Sequence, residues 1–363
     1  MKFRLQSEFR YVDKPLFYAL LAFMVISLFT LYSASNQSLV AIGGQLFRYL
    51  LGFVFMFLIA QLRPETLRLW SPYIYGVGVF LLAVVLAIGI IGKGAQRWIA
   101  LGPIRLQPSE IMKLALPMML AWAFSKTALP PRMRVLGIGM LIIAIPVVLI
   151  REQPDLGTAT MILASGLLVV FLAGISWWLL GLIAGVGAAV MPFIWTHMHT
   201  YQKQRVLTFF NPESDPLGTG YHIIQSKIAI GSGGIFGKGW LESTQGQLGY
   251  LPEQTTDFIF AVFSEEFGFI GVVLLISLYL YIIGRGLNIA YSAQDTYSRL
   301  LAGSLTLTFF MYFLVNTGMV TGLLPVVGVP LPLVSHGGSS LVTLLASFGI
   351  LMSIHTHRKL VEH

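Results

Sequence analysis

The run Leu69-Trp-Ser-Pro-Tyr-Ile-Tyr-Gly-Val-Gly-Val-Phe-Leu-Leu-Ala-Val-Val-Leu-Ala-Ile-Gly-Ile-Ile-Gly92 holds no Asp, Glu, Lys or Arg, and it is longer than the roughly 18 apolar residues that span a bilayer as a helix. It has companions. Pro15 to Phe47, Leu156 to Gln202 and Leu300 to His357 are equally free of charge. With 56% of its 363 residues hydrophobic, 10% charged and a mean hydropathy of +0.79, the chain is excluded from the soluble globular class. Dividing the apolar content into units of about 20 residues predicts ten helices, near 15–35, 41–62, 71–92, 108–126, 133–150, 156–174, 176–195, 257–284, 298–320 and 337–356. The fold class is therefore all-α, a polytopic membrane protein forming one membrane domain over 1–363.

An even number of spans puts both termini on one side. The termini and loops on that side carry thirteen Lys and Arg, whereas the short loops opposite carry Lys93, Arg97, Arg105 and Arg151. The positive-inside bias makes the termini cytoplasmic, and the mixed-charge leader Lys2 to Lys14 reads as the lead-in to a first anchor rather than a cleaved signal. The same bias accounts for the net charge of +8 without nucleic acid, for which there is no basic and aromatic stripe on a polar domain. The absence of cysteine removes disulfides, thiol nucleophiles and Cys-ligated metals.

That topology leaves one long polar segment outside, 197–256, glycine-rich and charge-balanced, with a short amphipathic piece at Tyr221 to Ile230; it is expected to cap the bundle. A second outer segment, 322–338, carries Pro325, Pro330 and Pro332, which no continuous helix accepts. Apolar but unhelical backbone at that depth has to pack against protein or line a cavity.

Ionisable residues inside spans are costly and are functional candidates by default. Arg48, Glu110, Lys113, Asp257, Glu265 and Glu266 qualify. Glu110 and Lys113 lie on one helix face, either as a structural ion pair or as part of a site. Arg48, mid-span, needs a partner or an anionic ligand. Asp257 is read at the start of the eighth helix, as a capping acid or as a proton acceptor. Glu265 and Glu266 point to different sides from it at about 100° per residue, so the three acids cannot share one pocket. Arg97, Trp98, Arg105, Arg205, Lys227 and Lys238 add cations and an aromatic ring on the outer side, as interfacial charge or as an anion site. The stretch Gly231 to Trp240 fails the Walker and dinucleotide spacings and reads as a turn, although backbone amides beside Lys238 can still receive an anion. His355 and His357 have no further ligands nearby. Cations, carboxylates and lateral lipid access suit a substrate with both a diphosphate and a lipid tail.

Gly94-Ala-Gln-Arg-Trp-Ile-Ala-Leu-Gly102, Arg105-Leu-Gln-Pro-Ser-Glu110 and Gln153-Pro-Asp-Leu-Gly-Thr158 resemble the SEDS family of shape, elongation, division and sporulation proteins. Asn211-Pro-Glu-Ser-Asp-Pro-Leu-Gly-Thr-Gly-Tyr-His222, Leu251-Pro-Glu-Gln-Thr-Thr-Asp-Phe-Ile-Phe-Ala-Val262 and Gly328-Val-Pro-Leu-Pro-Leu-Val-Ser-His-Gly-Gly-Ser-Ser340 continue the match in the family's order. His222 to Gly234 and Lys238-Gly-Trp240 resemble its elongation branch more than its division branch. The resemblance implies a ten-helix glycosyltransferase that polymerises lipid II into peptidoglycan strands and releases undecaprenyl diphosphate during elongation. It implies a class B penicillin-binding protein, a transpeptidase, as partner within the elongation complex, in the bacterial inner membrane with the site facing the periplasm. The family's essential aspartate falls on Asp257 and its functional tryptophan on Trp98; family positions also fall on Arg97, Glu110, Lys113 and Glu253, and the Gln-Pro-Asp motif supplies Asp155. His336 departs from a frequent Tyr, and Gln254 and Thr255 from frequent Arg or Ala and His. No tightly bound cofactor is expected. The family suggests a divalent cation, Mg2+ or Mn2+, for which no ligand set is readable.

The expected chemistry is a single displacement with Asp257 as base and the diphosphate neutralised by candidates among Arg48, Arg97, Lys113, Arg205 and Lys227, with Arg105, Glu110, Asp155, Trp98 and Glu253 also at the substrate. Three alternatives remain open at this point: a lipid II flippase, a non-catalytic scaffold for a transpeptidase, and an O-antigen-ligase-like transferase. The motif set disfavours the last.

Overall fold

The computed structural model describes residues 12–92, 95–101, 104–175, 177–197, 203, 207–211, 219–251 and 253–357. Every stretch expected to be a long helix is one. They are α1 (Lys14–Ala34), α2 (Leu39–Ala60), α3 (Pro64–Ile88), α4 (Pro108–Phe124), α5 (Met133–Glu152), α6 (Leu156–Leu172), α7 (Trp177–His197), α10 (Ile259–Tyr291), α11 (Thr296–Thr321) and α12 (Ser339–Thr356). Between them lie two shorter helices, α8 (Thr219–Ser232) and α9 (Thr244–Gln247). Among the described residues seven helices are long and apolar enough to cross a membrane, and the protein is an all-α, multi-pass membrane protein.

Local chemistry sets the helix starts. Asp13, Ser38, Asp155 and Asp295 accept from the backbone N–H of Leu16, Ala41, Thr158 and Ser298, capping α1, α2, α6 and α11. Pro64 and Pro108 occupy first turns, where a missing N–H costs nothing. This moves α3 earlier than the expected 71–92. Its end is also earlier: Ile90–Gly92 (β1) pairs antiparallel with Ala95–Leu101 (β2), which pairs with Ile104–Leu106 (β3). These strands correct the purely helical reading. The β-branched Ile90 and Ile91 prolong an apolar run but favour extended backbone.

α2 packs along α12, α10 along α11 and α3 along α4; α11 and α12 are the most enclosed of the spanning helices. The irregular segment between them is built into this core. Four consecutive carbonyls there are satisfied by side chains from three helices: Tyr279 donates to Pro332 (2.5 Å), Tyr49 to Leu333, Ser27 to Val334 (2.8 Å) and Gln45 to Ser335 (3.1 Å). Unhelical backbone at this depth is thus packed against protein, as lipid exclusion requires.

The described part of segment 197–256 docks in the same manner. α8 lies against α10 and α11, with Ser226 donating to Val320 O at 2.7 Å. The turn that follows inserts into a break in α10 at Gly268 (φ 63°, ψ −164°). The amides of Lys238 and Gly239 donate to the carbonyls of Glu265 and Glu266, and those of Phe269 and Ile270 donate to Gly234 and Ile235, all within 2.9–3.1 Å. The loop supplies the bonds the broken helix gives up. A Cβ at Gly268 would stand 2.2 Å from the Gly237 nitrogen, so both φ and space demand glycine.

Candidate functional site

Charged residues converge on a cavity of about 590 Å3 between the strands, α4, the start of α6, the segment before α10 and the irregular segment 322–338. Arg97 and Trp98 reach it from β2, Glu110 and Lys113 from α4, Asp155 from the cap of α6, His222 from α8, and Glu253 and Asp257 from the turn that leads into α10.

Each cation on this wall is matched to an acid. Arg97 Nε stands 3.1 Å from Asp155 Oδ2, and Asp155 is fixed in turn by the amide and hydroxyl of Thr158 (3.1 and 2.9 Å). Lys113 Nζ donates to Glu110 Oε1 at 2.8 Å and lies 4.7 Å from the centroid of the Tyr312 ring. Glu110 is buried, and its second oxygen has no hydrogen-bond partner among the described residues. An unpaired carboxylate oxygen beside a cavity is a place for a hydroxyl donor.

Asp257 corrects the local reading. α10 begins at Ile259 with Phe258 as its N-cap, so Asp257 stands outside the helix, in a turn closed by the amides of Thr256 and Phe258 on Glu253 O (3.0 and 3.3 Å). Glu253 holds this turn in a left-handed conformation (φ 55°), while Thr256 Oγ1 donates to its carboxylate at 3.0 Å. Opposite Asp257 the wall is Gly328 (φ 79°), where a Cβ would lie 3.5 Å from Asp257 Oδ2. His222 stacks on Phe258 with centroids 5.8 Å apart.

The remaining expected residues separate. Arg48 does not line the cavity; its Nη1 lies 3.2 Å from Nε2 of His336, which does. Burial first, and then the Arg48 charge, hold the His336 imidazole below its ordinary titration range. Lys227 is exposed on α8 and lies against Gly322, away from the cavity lining: its place on the helix turns it outward. Arg105 pairs by backbone with Ala100, and its side chain lies outside the described set, as does all of Arg205. Sequence reasoning did not single out Tyr312 or His222 as lining residues; an uncharged phenol in an apolar helix carries no signal beyond that of core.

Glu265 and Glu266 belong elsewhere. Glu265, fully buried, accepts from Lys238 Nζ (2.6 Å), Ser243 Oγ (2.6 Å), and the amide and hydroxyl of Thr244 (3.1 and 2.8 Å). Glu266 accepts from Ser33 on α1. The amides of Lys238 and Gly239 are taken by the carbonyls of Glu265 and Glu266, and the anion that Lys238 Nζ and the Thr244 amide receive is the protein's own Glu265. A second cavity, also about 590 Å3, is lined by apolar residues including Phe260, Phe269, Ile276, Phe313 and Leu324.

Among the described residues no three Asp, Glu or His side chains come together as ligands for a metal ion.

The family described as cell cycle protein (FtsW, RodA, SpoVE) matches residues 7–360. The chain is 51% identical over 353 residues, 97% of its length and 95% of the relative's, to the peptidoglycan glycosyltransferase MrdB of Escherichia coli K12. To the stage V sporulation protein E of Bacillus subtilis it is 36% identical over 359 residues, 93% of this chain and 95% of that one. It superposes with a TM-score of 0.83 and 34% identity on a chain from a structure concerning the coordination of polymerization and crosslinking by a peptidoglycan synthase complex, covering 94% of this chain and 97% of that one. With the rod shape determining protein RodA of Thermus thermophilus the TM-score is 0.72 at 30% identity, covering 96% and 98%.

Proposed function

Because the chain belongs to the FtsW, RodA and SpoVE family of cell cycle proteins, we propose that the cavity around Asp257 is where it polymerises lipid II. The protein is a peptidoglycan glycosyltransferase. The observation that carries the reading is a carboxylate outside regular structure, on the same cavity wall system as two acid-paired cations.

In the proposed step the 4-hydroxyl of an acceptor sugar attacks the anomeric carbon of a donor linked to a polyprenyl diphosphate. Asp257 takes the hydroxyl proton, the new C–O bond forms as the old one breaks, and the diphosphate leaves with the bonding pair. General-base help of this kind is worth about 10²–10⁴-fold. Inversion needs one displacement and no covalent intermediate. Arg97 and Lys113 are placed to oppose the charge on the leaving group, while the free oxygen of Glu110 suits a sugar hydroxyl. The second, apolar cavity has the lining for a polyprenyl chain. The orientation deduced from Lys and Arg makes this the periplasmic face of the inner membrane. Likeness to a chain from a peptidoglycan synthase complex supports assembly with a class B penicillin-binding protein during elongation.

The test is synthesis of glycan strands from fluorescent lipid II by the purified protein with a partner whose transpeptidase is blocked, wild type against Asp257→Asn. Strands from wild type alone are expected. Equal strands from both would remove Asp257 from the chemistry, and none from either, with fold and complex intact, would favour translocation of lipid II.

A further inference from the structure

We propose that Asn316 is a positioning residue for Asp257, its one amide nitrogen fixing both the chain that carries this carboxylate and the wall that faces it. The inference rests on the reading of Asp257 as the base. Asn316 is completely buried on α11. Its Nδ2 donates to Asp257 O at 2.8 Å and to Val329 O at 2.7 Å, using both of its hydrogens. Its Oδ1, equally buried, has no hydrogen-bond partner among the described residues. A buried side chain that leaves its own acceptor unmatched is not explained by its own comfort; what the amide secures is the two carbonyls.

Those carbonyls matter because of what adjoins them. Val329 follows Gly328, the residue whose Cβ position lies 3.5 Å from Asp257 Oδ2. Pulling Val329 O and Asp257 O to one nitrogen therefore sets the gap between the carboxylate and its wall. Two neighbouring bonds extend the seam: Ser335 Oγ donates to Thr256 O at 2.6 Å, and the His336 amide donates to Thr255 O at 2.8 Å. Three successive carbonyls before α10 are thus held. Of these donors Asn316 bridges both segments from a third element, a rigid helix. A misplacement of about 1 Å at a reacting group can cost on the order of 10²-fold in rate.

The experiment uses the full-length protein in complex with its transpeptidase partner and lipid II as substrate. Asn316→Leu, nearly isosteric, has no donor, and Asn316→Asp in its protonated form has one. Ser304→Ala removes a different fully buried polar group on α11, a hydroxyl whose bond is to Leu301 O within its own helix, and serves as the packing control. Expected is a graded fall in kcat per folded molecule, about 10- to 100-fold for Asn316→Leu and less for Asn316→Asp. The lipid II KM should stay within about twofold, as for uniform loss of transition-state geometry, and Ser304→Ala should resemble wild type. The proposal is overturned if Asn316→Leu turns over like wild type, or if its loss of activity tracks only its melting temperature. Should Asn316→Leu fail to fold, Asn316→Asp decides by the same split of kcat against KM. Asp257→Asn run alongside separates the two readings: activity there sinks the base, whereas an inactive Asp257→Asn beside a fully active Asn316→Leu sinks this inference alone.

Discussion

Asp257 and Glu265 are carboxylates on one short stretch of chain, and their surroundings differ in kind. Glu265 is enclosed by a lysine, two hydroxyls and backbone amides, so every route by which it could take a proton is filled by a donor. Asp257 stands before the helix, on a cavity, opposite a glycine. An acid shut in the interior is a fastener, and one on a cavity is within reach of a substrate. Local sequence alone weighs both as buried acids in an apolar helix.

The comparison breaks most sharply in a pair of neutralised variants. Asp257→Asn should lose at least about 10²-fold in glycan synthesis with an unchanged melting temperature in detergent. Glu265→Gln should do the reverse, costing about 2–3 kcal/mol of stability, toward the low end for a buried pair because Lys238 is 29% exposed, with turnover per folded molecule retained. If Glu265→Gln is as inactive as Asp257→Asn and as stable as wild type, this division fails. A smaller effect is expected at the cation wall. Arg97→Ala leaves Asp155 capped by Thr158, so it should raise the lipid II KM about tenfold in steady-state assays while the fold persists.

The smallest effect concerns pH. Because His336 titrates below its ordinary value of 6.5, the unfolded chain binds the proton first. Stability from neutral His336 is full above that ordinary value and is lost as pH falls from it toward the lower native value. Melting measured at about pH 7 and about pH 5 should show this loss, and His336→Phe should flatten it. An identical slope in that variant would assign the dependence to another group.

Much of the fold can be read from the chain because charge-free runs report directly on the bilayer. The strands cannot, since Ile90 and Ile91 continue such a run and only pairing with Trp98 and Gln96 reveals them. Nor can the break at Gly268: glycine inside an apolar helix is ordinarily tolerated, and its cause, the Gly237 backbone, lies far away in sequence. At the site, charge in an apolar setting marks Asp257, Glu110 and Lys113, a cation in an outer loop marks Arg97, and Asp155 enters only with the Gln-Pro-Asp motif of the resemblance, whereas Asn316 and Tyr312 bear no charge and pass as core. Arg48, charged within a span, and Lys227, a cation of the long loop, are marked as well, yet one sits behind His336 and the other faces outward, because charge alone does not encode direction.

The break at Gly268 also has a torsional meaning. An intact helix carries rotation along its length like a screw thread, each residue fixed at about 100° from the last. At Gly268 the thread is cut. The turns above it take their angle from the amides of Lys238 and Gly239, and those below take theirs from packing around Leu275, Tyr279 and Ile282. Because the amides of Phe269 and Ile270 donate to Gly234 and Ile235 in the same turn, that turn splints the cut, and the end of α10 next to Asp257 takes its phase from the turn and not from the helical thread.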